Sequence, residues 1–200
     1  VRKAILVQGT DQYLDQLHSH YQNYKTPVLY SLWNGTLGPN PVMSIWSQKP
    51  NNPGYGNSNL QFEGALAGCQ LAEDKGIDYL LKIRADMIIS NPDLLMDNID
   101  PTKLSVLAYH NWDGGYYIDY AIGLPVNLMT KVMDEDTSTE AKPTERQLME
   151  RYAKHNVSKV DYLLPLMKRL GIACHCLKWK LELVSYAETD PLYIYPPTND

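Results

Sequence analysis

The run Ala4-Ile5-Leu6-Val7 constrains the fold more than any other stretch of this chain. Four consecutive apolar residues without polar alternation do not suit a strand with one wet face; such a strand is buried on both sides and needs helices to cover it. It ends at the polar loop Gln8-Gly9-Thr10-Asp11. Leu14, Leu17, Tyr21 and Tyr24 then recur at spacings of three and four, which predicts an amphipathic helix closed by Lys25-Thr26-Pro27. Val28 to Trp33 predicts a second strand, so the chain opens as a βαβ unit with a crossover of the length parallel strands require.

The pattern continues. Val42 to Trp46 predicts a third short strand, and Gln48 to Asn57 is a long loop dense in turn formers. A helix over Leu60 to Lys75 carries a face of small residues, Gly64, Ala65, Ala67, Gly68 and Ala72, that permits close approach to a sheet, and Gly76 ends it. Tyr79 to Arg84 predicts a strand, and Asn91-Pro92-Asp93 caps a short helix. Strands are expected over Leu104 to Tyr109 and Tyr116 to Leu124, followed by a helix over Val126 to Met133 and a flexible acidic segment over Asp134 to Lys142. Thr144-Glu145-Arg146-Gln147 fits a capping box opening a helix to about His155. Lys159 to Leu170 predicts another helix, Ile172 to Tyr186 has strand character, and residues 191–200 read as a peripheral tail. Alternating helices and buried strands define an α/β fold, with ligands expected at the carboxyl ends of the strands.

At 200 residues the chain suits a single domain with one core, residues 1–200. Lys and Arg number 18 against 23 Asp and Glu, a net charge of −5, so there is no overall positive field to gather nucleic acid, and none is expected as a partner. Tyr and Trp number 15 and 4 against one Phe, a skew toward rings with a polar handle that suits sugar-binding clefts and equally suits buried tyrosines with satisfied hydroxyls. The three cysteines, Cys69, Cys174 and Cys176, do not make a disulfide framework. With no apolar run long enough to span a membrane, the chain reads as cytoplasmic.

The segment Lys82-Ile83-Arg84-Ala85-Asp86-Met87 holds the sharpest chemistry. Two cations alternate along an apolar strand and a carboxylate stands where it ends; charges there are costly unless used or paired. Such a carboxylate suits a divalent cation bridging phosphate oxygens, with Lys82 and Arg84 sharing the charge of a leaving diphosphate. An internal Arg84–Asp86 or Lys82–Asp pair serving only the fold is the alternative.

The order strand, helix, strand, Asn57-Ser58-Asn59-Leu60-Gln61, small-residue helix, then Tyr79 to Met87 resembles the GT-A class of nucleotide-sugar glycosyltransferases. Within that class it is similar to the WavE-like lipopolysaccharide-synthesis family, through the K-x-R-x-D-M strand ending and the N-x-Q helix start. The resemblance spans residues 4–155, is strongest over 57–90, and extends to bacterial and viral glycosyltransferase domains of similar size. It implies a GT-A-like single domain with a Rossmann-like βαβ half and a central, mostly parallel mixed sheet flanked by helices. Residues 1–100 would bind the nucleotide sugar and residues 101–190 would face the acceptor. The implied activity is metal-assisted hexosyl or deoxyhexosyl transfer from a nucleotide diphosphate sugar donor to a glycan acceptor.

In the GT-A class a D-x-D triplet ends this strand, and here the triplet is Arg84-Ala85-Asp86, so the first acid is missing. The resemblance carries over Asp86 as a contact to Mn²⁺ or Mg²⁺ or to the diphosphate, and Arg84 would replace part of the cation's charge. It also places Gln8, Gly9 and Thr10 against base and ribose, and Asn57, Asn59 and Gln61 against the donor. A general base is expected at the start of a late helix with an E-D-x-x-L-x-x-R-like pattern. Glu145, with Leu148 and Arg151, matches the second acid of it, and Asp161 with Leu164 is a poorer match. Equally, an acid in a first helical turn simply complements the dipole.

Trp112-Asp113-Gly114-Gly115, with Asp119, gathers rings and acids into a candidate acceptor-side loop, with aromatic packing under a hairpin as the alternative. In Cys174-His175-Cys176 the sulfurs share one strand face and His175 points to the other, which disfavours zinc. A nucleotidyltransferase would want more glycines after the first strand than Gly9 alone. A non-catalytic carbohydrate-binding module would explain the missing first acid.

Overall fold

The computed structural model describes residues 1–33, 43–110, 115–135, 142–189 and 193–194. Its centre is a seven-stranded sheet. The strands are β1 (Lys3–Gly9), β2 (Val28–Trp33), β3 (Ser44–Ser47), β4 (Tyr79–Arg84), β6 (Leu104–Val106), β9 (Ala121–Pro125) and β10 (Val160–Tyr162), in spatial order β10-β6-β9-β4-β1-β2-β3. All neighbours are parallel except β9, which runs antiparallel to both β4 and β6. This is the mostly parallel mixed sheet expected.

Side chains alternate across β1 as a doubly covered strand demands. Ile5 and Val7 join the core layer of helix α1 (Leu14–Tyr21) and helix α6 (Leu163–Leu170). Ala4 and Leu6 join the layer of helices α2 (Ser58–Asp74), α4 (Val126–Met133) and α5 (Thr144–Lys154). The small-residue face of α2 does what its composition predicts. A Cβ at Gly64 would collide with the Gln8 side chain, and one at Gly68 with Leu6, so the helix lies directly on the sheet. Asn91 caps helix α3 (Pro92–Asn98), its side chain accepting from the Leu94 amide at 3.1 Å.

Two small antiparallel sheets flank the main one. Strand β11 (Cys174–Cys176) pairs with β5 (Met87–Ile89) and β12 (Leu181–Glu182), while β7 (Tyr109–His110) pairs with β8 (Tyr116–Tyr117) and β13 (Tyr193–Ile194). Part of the tail thus adds an edge strand to β7. Helix α7 (Leu183–Thr189) follows β12.

Four expectations change. The strands read as Leu104 to Tyr109 and Tyr116 to Leu124 each divide between the main sheet and the β7–β8 hairpin, with the Leu107 amide donating to the Ala121 carbonyl at 3.1 Å where the chain turns away. The helix read from Lys159 begins only at Leu163. Val160 to Tyr162 pair with β6 as an edge strand, tertiary pairing overriding a local helical pattern. Ile172 to Tyr186 is two short strands and the start of α7 rather than one strand. The capping box does not form, because Pro143 takes the cap position and Thr144 is the first helical residue, while the Gln147 side chain reaches back, Nε2 donating to the Lys142 carbonyl at 2.8 Å. Among the described residues no helix is long and apolar enough to cross a membrane, and the three cysteines are free and buried.

Candidate functional site

Strands β1 and β4 are parallel and in register, Gln8 opposite Arg84, so both end at the same edge of the sheet. The Ala85 amide donates to the Gln8 carbonyl at 2.9 Å and stitches the two ends together. Gly9 has φ +145 and a Cβ there would stand 3.1 Å from Ala85 Cβ, so the chain turns here only because residue 9 is glycine. Beyond these ends opens a cavity of about 370 Å³. Gln8, Gly9 and Thr10 line it from β1, Gln61 from α2, Arg84 and Asp86 from the end of β4, and Lys178 from the turn after β11.

Arg84 and Asp86 form a side-on ion pair, Nε donating to Oδ1 at 3.0 Å and Nη2 to Oδ2 at 2.8 Å. The Asp86 side chain is 9% exposed and that of Arg84 28%, so the acid sits behind the guanidinium and both face the cavity. The guanidinium carbon lies 4.6 Å from the ring centre of Tyr120 and 5.3 Å from that of Trp179, within cation–π range of each. Behind Asp86, Cys176 Sγ donates to Oδ2 at 3.7 Å, and the Leu177 amide donates to the Asp86 carbonyl at 2.7 Å. That last bond brings Lys178 and Trp179 to the rim.

Lys82 follows the period-two alternation onto the same face as Arg84 and is buried beneath it, Nζ donating to the Asp119 carbonyl at 3.0 Å and to Gln61 Oε1 at 3.3 Å. Burial lowers its pKa, against the opposing pull of Asp119. Asp119 is buried, and its Oδ2 has no hydrogen-bond partner among the described residues. Glu145, half-buried in the first turn of α5, has a carboxyl raised above the ordinary range, first by burial and then by Asp119, with Lys82 and Arg84 opposing. The Asp119 charge therefore bears on the Glu145 carboxyl against the pull of the two cations.

The remaining candidates divide. Gln61 lines the cavity. Asn57 is exposed at the left-handed start of α2 and Asn59 is buried, donating to the Asn52 carbonyl at 3.1 Å, so both shape the preceding loop and neither lines the cavity. Asp161 lies on edge strand β10, not at a helix start, and pairs with Lys103 at 3.0 Å. Trp112 and Asp113 lie outside the described residues. The hairpin that flanks them packs His110 on Tyr116 and Tyr109 on Tyr117, ring centres 5.5 and 5.9 Å apart. His175 is exposed while Cys174 and Cys176 are buried, the opposed faces expected. Lys178, Tyr120 and Trp179 escaped the sequence reading; the alternation Lys178-Trp179-Lys180 was the available signal.

The donor set does not fit a two-carboxylate site for Mn²⁺ or Mg²⁺. Both Asp86 oxygens already accept from Arg84, the other position of the triplet is that cation itself, and among the described residues no three His, Cys, Asp or Glu side chains cluster as metal ligands.

No family model matches the chain, and no curated protein matches it. Among solved structures it is similar to a glycosyltransferase involved in the glycosylation of the major capsid of PBCV-1, at a TM-score of 0.53 and 13% identity, over 82% of this chain and 84% of that one. The fold is thus an α/β fold of the GT-A-like kind, shared with a glycosyltransferase.

Proposed function

We propose that this chain is a glycosyltransferase that moves a sugar from a nucleotide diphosphate sugar to a glycan acceptor. The observation that carries the reading is the cavity at the carboxyl ends of β1 and β4, where the Arg84–Asp86 pair meets Gln8, Gly9 and Thr10 in a fold shared with a glycosyltransferase. Gln8, Gly9 and Thr10 face the base and ribose, and Gln61 and Arg84 face the donor. Arg84 takes up charge as the diphosphate leaves, where a preformed, partly buried cation is worth most. Lys82 holds Gln61 and the Asp119 backbone in place from behind.

Glu145 is the general base. The acceptor hydroxyl passes its proton to the Glu145 carboxylate and its oxygen bonds to the anomeric carbon. The bond from that carbon to the diphosphate oxygen breaks, and its electron pair leaves on the diphosphate. A carboxyl raised by burial and by Asp119 is a stronger base than a solvated one. Asp119, with Trp112 and Asp113, serves the acceptor side. The finer reading, hexosyl or deoxyhexosyl transfer in polysaccharide synthesis of the WavE-like kind, rests on the resemblance over residues 57–90.

A thermal-shift screen of nucleotide sugars tests the assignment, since a ligand that binds only the folded chain raises its apparent stability. One donor should raise the melting temperature and release its nucleoside diphosphate slowly in the presence of acceptor glycans. A full panel of common donors that leaves the melting temperature unmoved would remove the nucleotide-sugar reading.

A further inference from the structure

The Arg84–Asp86 pair is built in the order opposite to a metal site. In a D-x-D ending, two carboxylates hold a divalent cation and the cation holds the diphosphate. Here a single carboxylate holds a guanidinium, through both of its oxygens and at 3.0 and 2.8 Å. We propose that Arg84, fixed by Asp86 and joined by Lys178, binds the donor diphosphate in the place of a divalent cation, so that donor binding is independent of metal. This rests on the nucleotide-sugar reading above and assigns the chemistry of its diphosphate subsite.

Three observations carry it. The side-on pairing uses Nε and one hydrogen of Nη2, so three of the five guanidinium N–H groups remain, and among the described residues no further hydrogen-bond partner takes them. Arg84 itself lines the cavity, so those donors are at hand for the ligand. The guanidinium is held in its plane from several sides, by Asp86 and by the rings of Tyr120 and Trp179, and a preformed fork loses less entropy on meeting a phosphate. Lys178 is exposed at the same rim, brought there by the bond from the Leu177 amide to the Asp86 carbonyl.

A divalent ion at Asp86 would share both oxygens with Arg84 and sit against its positive charge in a site that is 9% exposed at the acid. Asp86 is therefore a positioning residue. It acts on the ligand through Arg84.

The test is isothermal titration of the full chain with inorganic pyrophosphate and with UDP, GDP, ADP and CDP, in EDTA and again in Mn²⁺. At least one nucleoside diphosphate should bind in EDTA with a dissociation constant within about threefold of that in Mn²⁺. Arg84→Gln should weaken binding in EDTA at least ~10-fold, as loss of a charge-assisted fork does, and Lys178→Gln by ~3-fold or more. Lys178 is exposed, so its variant stays informative even where Arg84 variants fold poorly.

Asp86 is tested by chemical rescue. Guanidinium ion at a few millimolar should restore pyrophosphate binding to Arg84→Ala, and should fail to restore it once Asp86→Asn is added. A merely structural carboxylate would not decide that rescue. Binding that requires Mn²⁺ overturns the proposal and leaves the glycosyltransferase reading standing. No binding of any probe in either buffer removes both. Pyrophosphate binding in EDTA to which no nucleoside adds affinity upholds the clamp and counts against the nucleotide sugar.

Discussion

Asp86 and Asp119 reach the same edge of the sheet by different routes and meet opposite conditions there. Asp86 follows the end of β4, while Asp119 precedes β9, whose antiparallel course sets Ala121 opposite Ile83. Both oxygens of Asp86 accept from one guanidinium, and Oδ2 accepts from Cys176 Sγ as well. Asp119 is more deeply buried, yet its Oδ2 has no hydrogen-bond partner among the described residues, and it pushes the neighbouring Glu145 carboxyl upward. A paired carboxylate beside a cavity organises a cation, whereas a buried carboxylate oxygen without a hydrogen-bond partner is a position that calls for an explanation. On the proposed reading, one strand end carries a binding side built on the Arg84–Asp86 pair and a reacting side built around Asp119 and Glu145.

The largest test of that contrast is Glu145→Gln. In its proposed role of general base it should contribute about 10²–10⁴ in rate, so transfer should fall by that factor while nucleotide affinity holds. Stability should move the other way. A carboxyl whose folded pKa lies above its unfolded value binds more protons folded than unfolded, so stability declines as pH rises from the unfolded toward the folded pKa. The cost persists at neutral pH, and Glu145→Gln should melt at a higher temperature than the parent at pH 7, the gain vanishing at a pH below the unfolded value. An acid serving only the helix dipole would, when neutralised, lower the melting temperature and spare transfer.

Asp86→Ala should behave as the removal of a partnered group. It strands Arg84 part-buried against Tyr120 and Trp179, and should cost about 2–3 kcal/mol in a urea titration. If this variant also raised stability, as Glu145→Gln should, the two acids would share one environment and the comparison would fail.

How much of this was legible follows from where each signal lies along the chain. Val28 to Trp33 and Tyr79 to Arg84 form the strands expected, because a short, largely apolar run bounded by turn formers has few other uses. Gly64 and Gly68 foretold the close helix, and the alternation of Lys82 with Arg84 placed both cations on one face. The rest depends on contacts distant in sequence. Cys176 meets Asp86 across 90 residues, and that same approach delivers Lys178 and Trp179. The division of the strand at Ile118-Asp119-Tyr120, which buries Asp119 beside Lys82, is likewise a product of pairing and not of local pattern.

The smallest expected effect belongs to the acid that matched the helix pattern more poorly and lies on an edge strand. Asp161 stands on β10, separated from β4 by β6 and β9, and its carboxylate meets Lys103, which also reaches Asp100 at 3.7 Å. An exposed pair of this sort contributes little, and salt screens it. Asp161→Asn should therefore leave transfer within about twofold of the parent, and any small loss of melting temperature should disappear in high salt. A large loss of transfer would place a second reacting acid on the far side of β9, and the division between a paired binding side and an unpaired reacting side around β4 would no longer describe the molecule.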